Sequence, residues 1–270
     1  MAKLIDFDKK YMAFAAGSLK DLANLKEDEL EGALNDSVSR WLATKDADLN
    51  GKTPDEYFAD LSPGALTNNL LAYCEAGMRP PEPLYRRIAK TRECVPPLLE
   101  IAGKRTLSGK ARGTAFRLLI DMEADDLTDL AADMLLGEGE LANEAADWLK
   151  AAGYGAVEPL LIRYEAADED AQEAILDVLC AYPGVGRTAE ILAERLLSRH
   201  EKRALHASYA ARLGDEALLP PLEALARLSD LTYYDYLEIR NAIEALGGDP
   251  GAERQFYGDP DFERLREEPE

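Results

Sequence analysis

Histidine is almost missing from this chain: His200 and His206 are the two among 270 residues. Six positions apart, they point to different faces of a helix and form no local metal pair. Cysteine is scarce as well. Cys74, Cys94 and Cys180 show no metal-ligand spacing, and an odd count argues against a disulfide framework, so a reducing cytoplasm is the expected setting. No stretch approaches the length of a membrane-spanning helix. The start, Met1-Ala2-Lys3-Leu4-Ile5-Asp6, has no apolar run behind basic residues, so no secretory signal is expected. A phosphate-cradling loop is absent too, since Gly184-Val185-Gly186 lacks a third glycine and a preceding strand. No Ser or Cys stands in a nucleophile-elbow context. These absences leave no catalytic residue, cofactor site or metal site to name. An enzyme would need residues converging from distant parts of the chain, and the expectation is a protein that is not one.

The sharpest motif match is Asp46-Ala47-Asp48-Leu49-Asn50-Gly51, the first half of an EF-hand loop. Calcium needs a bidentate carboxylate at the twelfth position, where this chain has Tyr57. The same stretch contains Thr53-Pro54-Asp55-Glu56, a capping box with proline at the first helical position, and that reading is the stronger. Ser62-Pro63 marks another helix start in the same way.

What the chain has is apolar residues, at 47%, and acid: the formal charge is −21. That supports an extended core and repels nucleic acid and anionic membranes at long range. It also has a period. Val95-Pro96-Pro97-Leu98-Leu99 returns as Val157-Glu158-Pro159-Leu160-Leu161 and as Leu219-Pro220-Pro221-Leu222, so Pro97, Pro159 and Pro221 are spaced by 62 and 62. Half of that predicts further copies near 128 and 190, where Leu127-Thr128-Asp129-Leu130 and Ala189-Glu190-Ile191-Leu192 each open an apolar run. Gly153, Gly184 and Gly214, spaced by 31 and 30, mark helix ends independently. The unit is a first helix, a glycine turn and a second helix. Pairs are expected at 141–152 with 157–166, 170–181 with 188–197, and 202–213 with 218–228. Ile175, Leu176 and Leu179 are placed on one apolar face, and Leu192, Leu196 and Leu197 on another.

Two antiparallel helices in about thirty residues cannot bury their own apolar faces, so neighbours must stack. The string Leu213-Gly214-Asp215-Glu216-Ala217-Leu218-Leu219-Pro220-Pro221-Leu222 resembles the turn and second helix of HEAT-like repeats, of the armadillo-type α-solenoid class. The resemblance covers roughly 81–248 and speaks for fold alone. Tetratricopeptide repeats compete, but the period is shorter and their Trp/Leu-Gly/Tyr pattern is missing. The resemblance implies an all-α, right-handed α-α superhelix. Around it, 1–80 reads as a helical N-terminal cap with an amphipathic run from Glu27 to Thr44, and 249–270 as a loosely packed or frayed tail. Leu231 to Leu246 is a last long helix with Tyr233, Tyr236 and Ile243 on one face, and the later aromatics Phe256, Tyr257 and Phe262 are placed to fold back over it.

Charge is unevenly spread. From Arg79 to Arg117 ten bases face three acids. From there to Lys150 come ten acids and no base: Asp121, Glu123, Asp125, Asp126, Asp129, Asp133, Glu138, Glu140, Glu144 and Asp147. Two readings compete. In the favoured one the basic repeat and its acidic neighbour neutralise each other as weak surface pairs. In the other, a basic patch of Arg86, Arg87, Lys90, Lys104, Arg105, Lys110 and Arg112 catches phosphate, nucleic acid or an acidic peptide.

The expected function is a cytoplasmic, monomeric scaffold or adaptor that grips a protein partner on the concave face lined by second helices. Arg163, Tyr164, Glu194, Arg195 and Arg227, from three successive second helices, are the candidate contact residues. Nucleic acid, through segment 79–117, is the alternative partner, and no membrane is expected.

Overall fold

The computed structural model describes residues 4–16, 27–125, 127–137 and 139–267. Among them every regular element is helical. The chain divides into two compact units, Met1–Leu130 and Ala131–Glu270. The division falls inside the stretch whose sequence reads as one run of repeats.

In the first unit α1 (Phe7–Ala15) and α2 (Glu27–Leu42) precede the short α3 (Pro54–Tyr57), followed by α4 (Pro63–Glu75), α5 (Glu82–Ala89), α6 (Val95–Gly103) and α7 (Gly109–Asp121). The helix starts are written in the side chains. Thr53 and Glu56 form the reciprocal capping box around Pro54, at 3.2 and 3.1 Å. Ser62 caps α4 with Pro63 behind it, and Ser108 caps α7. Each such cap satisfies an otherwise orphaned N–H and contributes about 1 kcal/mol. The N-terminal part has an aromatic core of its own: Phe7 stacks on Phe58 at 5.5 Å and meets the edge of Trp41 at 6.1 Å. Further along, Leu66, Leu70, Leu84, Ile88, Leu98, Phe116 and Leu119 are buried.

Helix α8 (Leu127–Leu135) crosses the division, and the second unit continues with α9 (Glu140–Ala151), α10 (Val157–Ala166), α11 (Glu169–Leu179), α12 (Gly186–Ser198), α13 (Arg203–Leu213), α14 (Leu219–Ala226), α15 (Tyr233–Ala245) and α16 (Pro260–Glu267). The three proline copies share one local structure. A 3-10 turn (Arg92–Cys94, Tyr154–Ala156, Glu216–Leu218) runs straight into α6, α10 or α14, with Pro97, Pro159 or Pro221 at the third helical position. The copy at 190 differs. There α12 starts at Gly186 with no side-chain cap, which puts Glu190 beyond the first turn. Gly153, Gly184 and Gly214 all take positive φ (86°, 79° and 70°), the backbone that glycine adopts without a Cβ penalty.

Hydrogen bonds join residues about one period apart. Cys94 Sγ donates to the Pro63 carbonyl across 31 positions, Tyr154 to that of Pro183 across 29, and the Asp235 carboxylate accepts from the Ala204 N–H across 31. Ile175, Leu176 and Leu179 are buried as expected, as are Leu192 and Leu196. Leu197 is not: 54% of its surface is open. The segment after Gly247 departs from the frayed-tail reading and follows the fold-back expected of its aromatics. It turns back over α15, with Phe256 buried against Tyr236 (5.0 Å) and Tyr233 (5.6 Å), Tyr236 donating to the Ala252 carbonyl, and α16 closing the corner.

Candidate partner-binding face

Helices α10, α12 and α14 are the second helices of three successive pairs. Each turns one stripe of exposed residues outward at the same spacing of four and three: Glu158, Ile162 and Glu165 on α10, Glu190, Glu194 and Leu197 on α12, Pro220, Ala224 and Arg227 at α14. The spacing is that of one helix face. Ile162 leaves 66% of its surface in water, more than Leu197. Neither was expected to be exposed. The missed signal was the register, because Ile162 stands three residues after Pro159, in step with Ala224 three after Pro221.

The candidate contact residues separate into three groups. Glu194 and Arg227 are exposed and make no ion pair among the described residues. Arg227 also lines a cavity of about 380 Å³ with Glu223, Tyr236 and Asp249. Arg163 is half-buried and reaches Asp133 at 3.5 Å. Tyr164 and Arg195 do not lie on an open surface. They are 9% and 8% exposed, and the Arg195 Nε donates to the Tyr164 hydroxyl at 3.0 Å. Arg195 also donates to Gln172. These two side chains tie α12 to α10 and α11 rather than facing a partner. The tie fixes the two outward stripes relative to each other.

The first helices of the same pairs, α9, α11 and α13, are joined by charge. Asp177 accepts from Lys150 and from Arg212, each at 2.7 Å. Glu173 meets the fully buried His206 at 3.0 Å and Lys202 at 3.1 Å. Burial works to raise both carboxyl pKa values, but these partners outweigh it and hold both groups below the ordinary range. His206 is thus a core residue bonded across a repeat, while His200 is exposed.

The basic segment has a physical account in the first unit. Its cations gather where helices end. Arg86 and Arg87 lie in the last turn of α5, and Lys90 and Lys104 are the C-cap residues of α5 and α6. Lys110 donates to the Gly77 carbonyl just past α4 (3.0 Å), and the Arg112 Nε to the Ala102 carbonyl of α6 (3.0 Å). Helix C-termini carry partial negative charge and unfilled acceptors, so cations are favoured there by about 0.3–1 kcal/mol each. Arg86 also pairs with Asp55 at 2.7 Å, Arg92 reaches Asp125 at 3.7 Å, and Tyr85 bonds Asp121. Arg87, Lys90, Lys104 and Arg105 are exposed and make no ion pair among the described residues. Asp126 and Glu138 lie outside those residues.

The half-motif for calcium is occupied from within: Lys10 binds Asp46 at 2.8 Å and Asp48 at 2.7 Å. No group of three potential metal ligands occurs among the described residues, and no helix there is long and apolar enough to cross a membrane. All three cysteines are buried, and burial pushes the Cys180 thiol up to about 12, so it carries no thiolate at neutral pH. A mostly apolar cavity of about 960 Å³ lies along α4, lined by Leu4, Ile5, Tyr57, Leu71, Tyr73 and Met78. No sequence signal announced it, because it depends on the N-terminal segment running beside α4.

No protein-family model, curated protein or solved structure matches this chain. The functional reading therefore rests on geometry and charge.

Proposed function

We propose that the protein is a non-catalytic scaffold or adaptor, a HEAT-like α-solenoid that binds a protein partner on the outward face of its second helices. Three things support the solenoid: the shared turn-and-proline starts, the positive-φ glycines, and hydrogen bonds across about one period. The observation that carries the function is the exposure of Ile162 and Leu197 on the outward stripes of α10 and α12. A single exposed apolar residue needs no explanation. Two on the outward stripes of helices tied together by Tyr164 and Arg195 make a surface that gains from being covered.

A pull-down from the source organism's lysate, with and without nuclease and across a salt series, tests this. The expected result is a defined protein band that survives nuclease and disappears with Ile162→Asp and Leu197→Asp. Recovery of nucleic acid, lost with nuclease or salt, overturns the reading and makes Arg87, Lys90, Lys104 and Arg105 the residues to change.

A further inference from the structure

The outward stripes of α10 and α12 also carry charge of one sign, whereas that of α14 ends on the exposed Arg227. Glu158, Glu165 and Glu194 are exposed, flank Ile162 and Leu197, and make no ion pair among the described residues. Glu190, on the same stripe as Glu194, is engaged by Arg187 at 3.1 Å. The Arg163 guanidinium, the nearest cation along α10, is turned to Asp133. Along α10 and α12 each exposed apolar side chain is therefore flanked on its own helix by carboxylates that make no ion pair among the described residues. The whole chain, at −21, adds a long-range field of the same sign.

We infer that this face takes a basic amphipathic protein segment, with apolar residues along one side and Lys or Arg flanking them. The inference rests on the scaffold reading and adds the partner's chemistry. An acidic partner or a nucleic acid would be repelled both at long range and at contact. A purely apolar partner would leave Glu158, Glu165 and Glu194 stripped of water with no counter-charge, which is costly. A basic amphipathic segment meets both demands, because its apolar side covers Ile162 and Leu197 while its cations pair with the rim. A second copy of this chain is disfavoured by mutual repulsion of two strongly acidic molecules.

The test is a fluorescence-anisotropy titration of the full chain with labelled Leu/Lys peptide of about four amphipathic helical turns. A matched Leu/Glu peptide and a Ser/Lys peptide without apolar residues serve as comparators. Leu/Lys peptide is expected to bind, to weaken as salt rises, and to lose roughly tenfold in affinity in Glu158→Gln/Glu165→Gln/Glu194→Gln and again in Ile162→Ser/Leu197→Ser. All five positions are exposed, and unchanged circular dichroism checks that both variants fold. Removing the same charge elsewhere, in Glu93→Gln/Glu100→Gln/Glu216→Gln, is expected to change affinity less than about twofold. Three results each overturn the inference: equal loss in that control, equal binding of Ser/Lys peptide, or stronger binding of Leu/Glu peptide. A lysate partner that Ile162→Asp and Leu197→Asp abolish, alongside failure of the Leu/Lys peptide, would keep the scaffold reading and discard the basic occupant.

Discussion

Single residues in this protein differ in what they demand of the backbone, and the glycines make the contrast measurable. Gly214 sits in the left-handed helical region (φ 70°, ψ 22°), where alanine costs about 1–2 kcal/mol. Gly153 sits at φ 86°, ψ 179°, a region that is essentially glycine's alone. Gly153→Ala is therefore expected to destabilise by about 2–3 kcal/mol, more than Gly214→Ala, in denaturant titrations of the two variants. The carboxylates Glu173 and Asp177 give a second residue-scale expectation. Their folded pKa values lie below the ordinary 4.5 and 3.8. The stability they contribute is thus present at neutral pH and is lost as pH falls through the lowered folded values. The melting temperature should drop on acidification below about pH 4, and the drop should be shallower in Asp177→Asn. A melting curve whose pH dependence is unchanged by that substitution would show that the Lys150 and Arg212 pairings contribute nothing.

At the scale of elements, much was legible because helix punctuation is local. Thr53 and Ser62, read as caps from the sequence, cap helices through their own side chains, as Ser108 and Asp168 also do, and sequence spacing alone exposed the period in Pro97, Pro159 and Pro221. The copy at 190 was less legible, since α12 starts without proline and without a side-chain cap. Proline scanning separates the two kinds of start. Thr128 is the second residue of α8, so Thr128→Pro should cost less than about 1 kcal/mol, as the native Pro96 and Pro220 occupy equivalent places. Glu190 is the fifth residue of α12, and Glu190→Pro should cost about 3 kcal/mol or more by removing an interior hydrogen bond. Equal melting temperatures for the two variants would contradict the observed start of α12. The candidate face was legible only in part. Tyr164 and Arg195 are amphipathic and look like surface residues in sequence, yet they meet across 31 positions and become buried. Burial of that kind is a property of the packed pair and leaves no local trace.

The whole molecule carries a charge of −21, and self-repulsion of that size opposes compaction. Raising salt from about 0.01 to about 0.15 M shortens the Debye length from roughly 30 to roughly 8 Å. The melting temperature should therefore rise over that range at neutral pH. A fall would mean that the pairs around Asp177, Glu173 and Lys10 outweigh the repulsion. The same field bears on the choice of partner, because an approaching basic segment is drawn in before any contact forms.

The turn-back after Gly247 has a consequence of its own. Arg254 donates to the carbonyls of Leu228 and Ser229, just past α14, while its guanidinium lies over Phe256, itself packed on Tyr233 and Tyr236. One side chain thus fastens the peptide to the end of a helix and roofs an aromatic cluster at once. Stacked helical pairs are adhesive wherever a face stays bare, since any similar face from another molecule will fit it. Phe256 and Phe262 occupy such a face on α15, so in the proposed solenoid the returning segment would keep a further copy from stacking there.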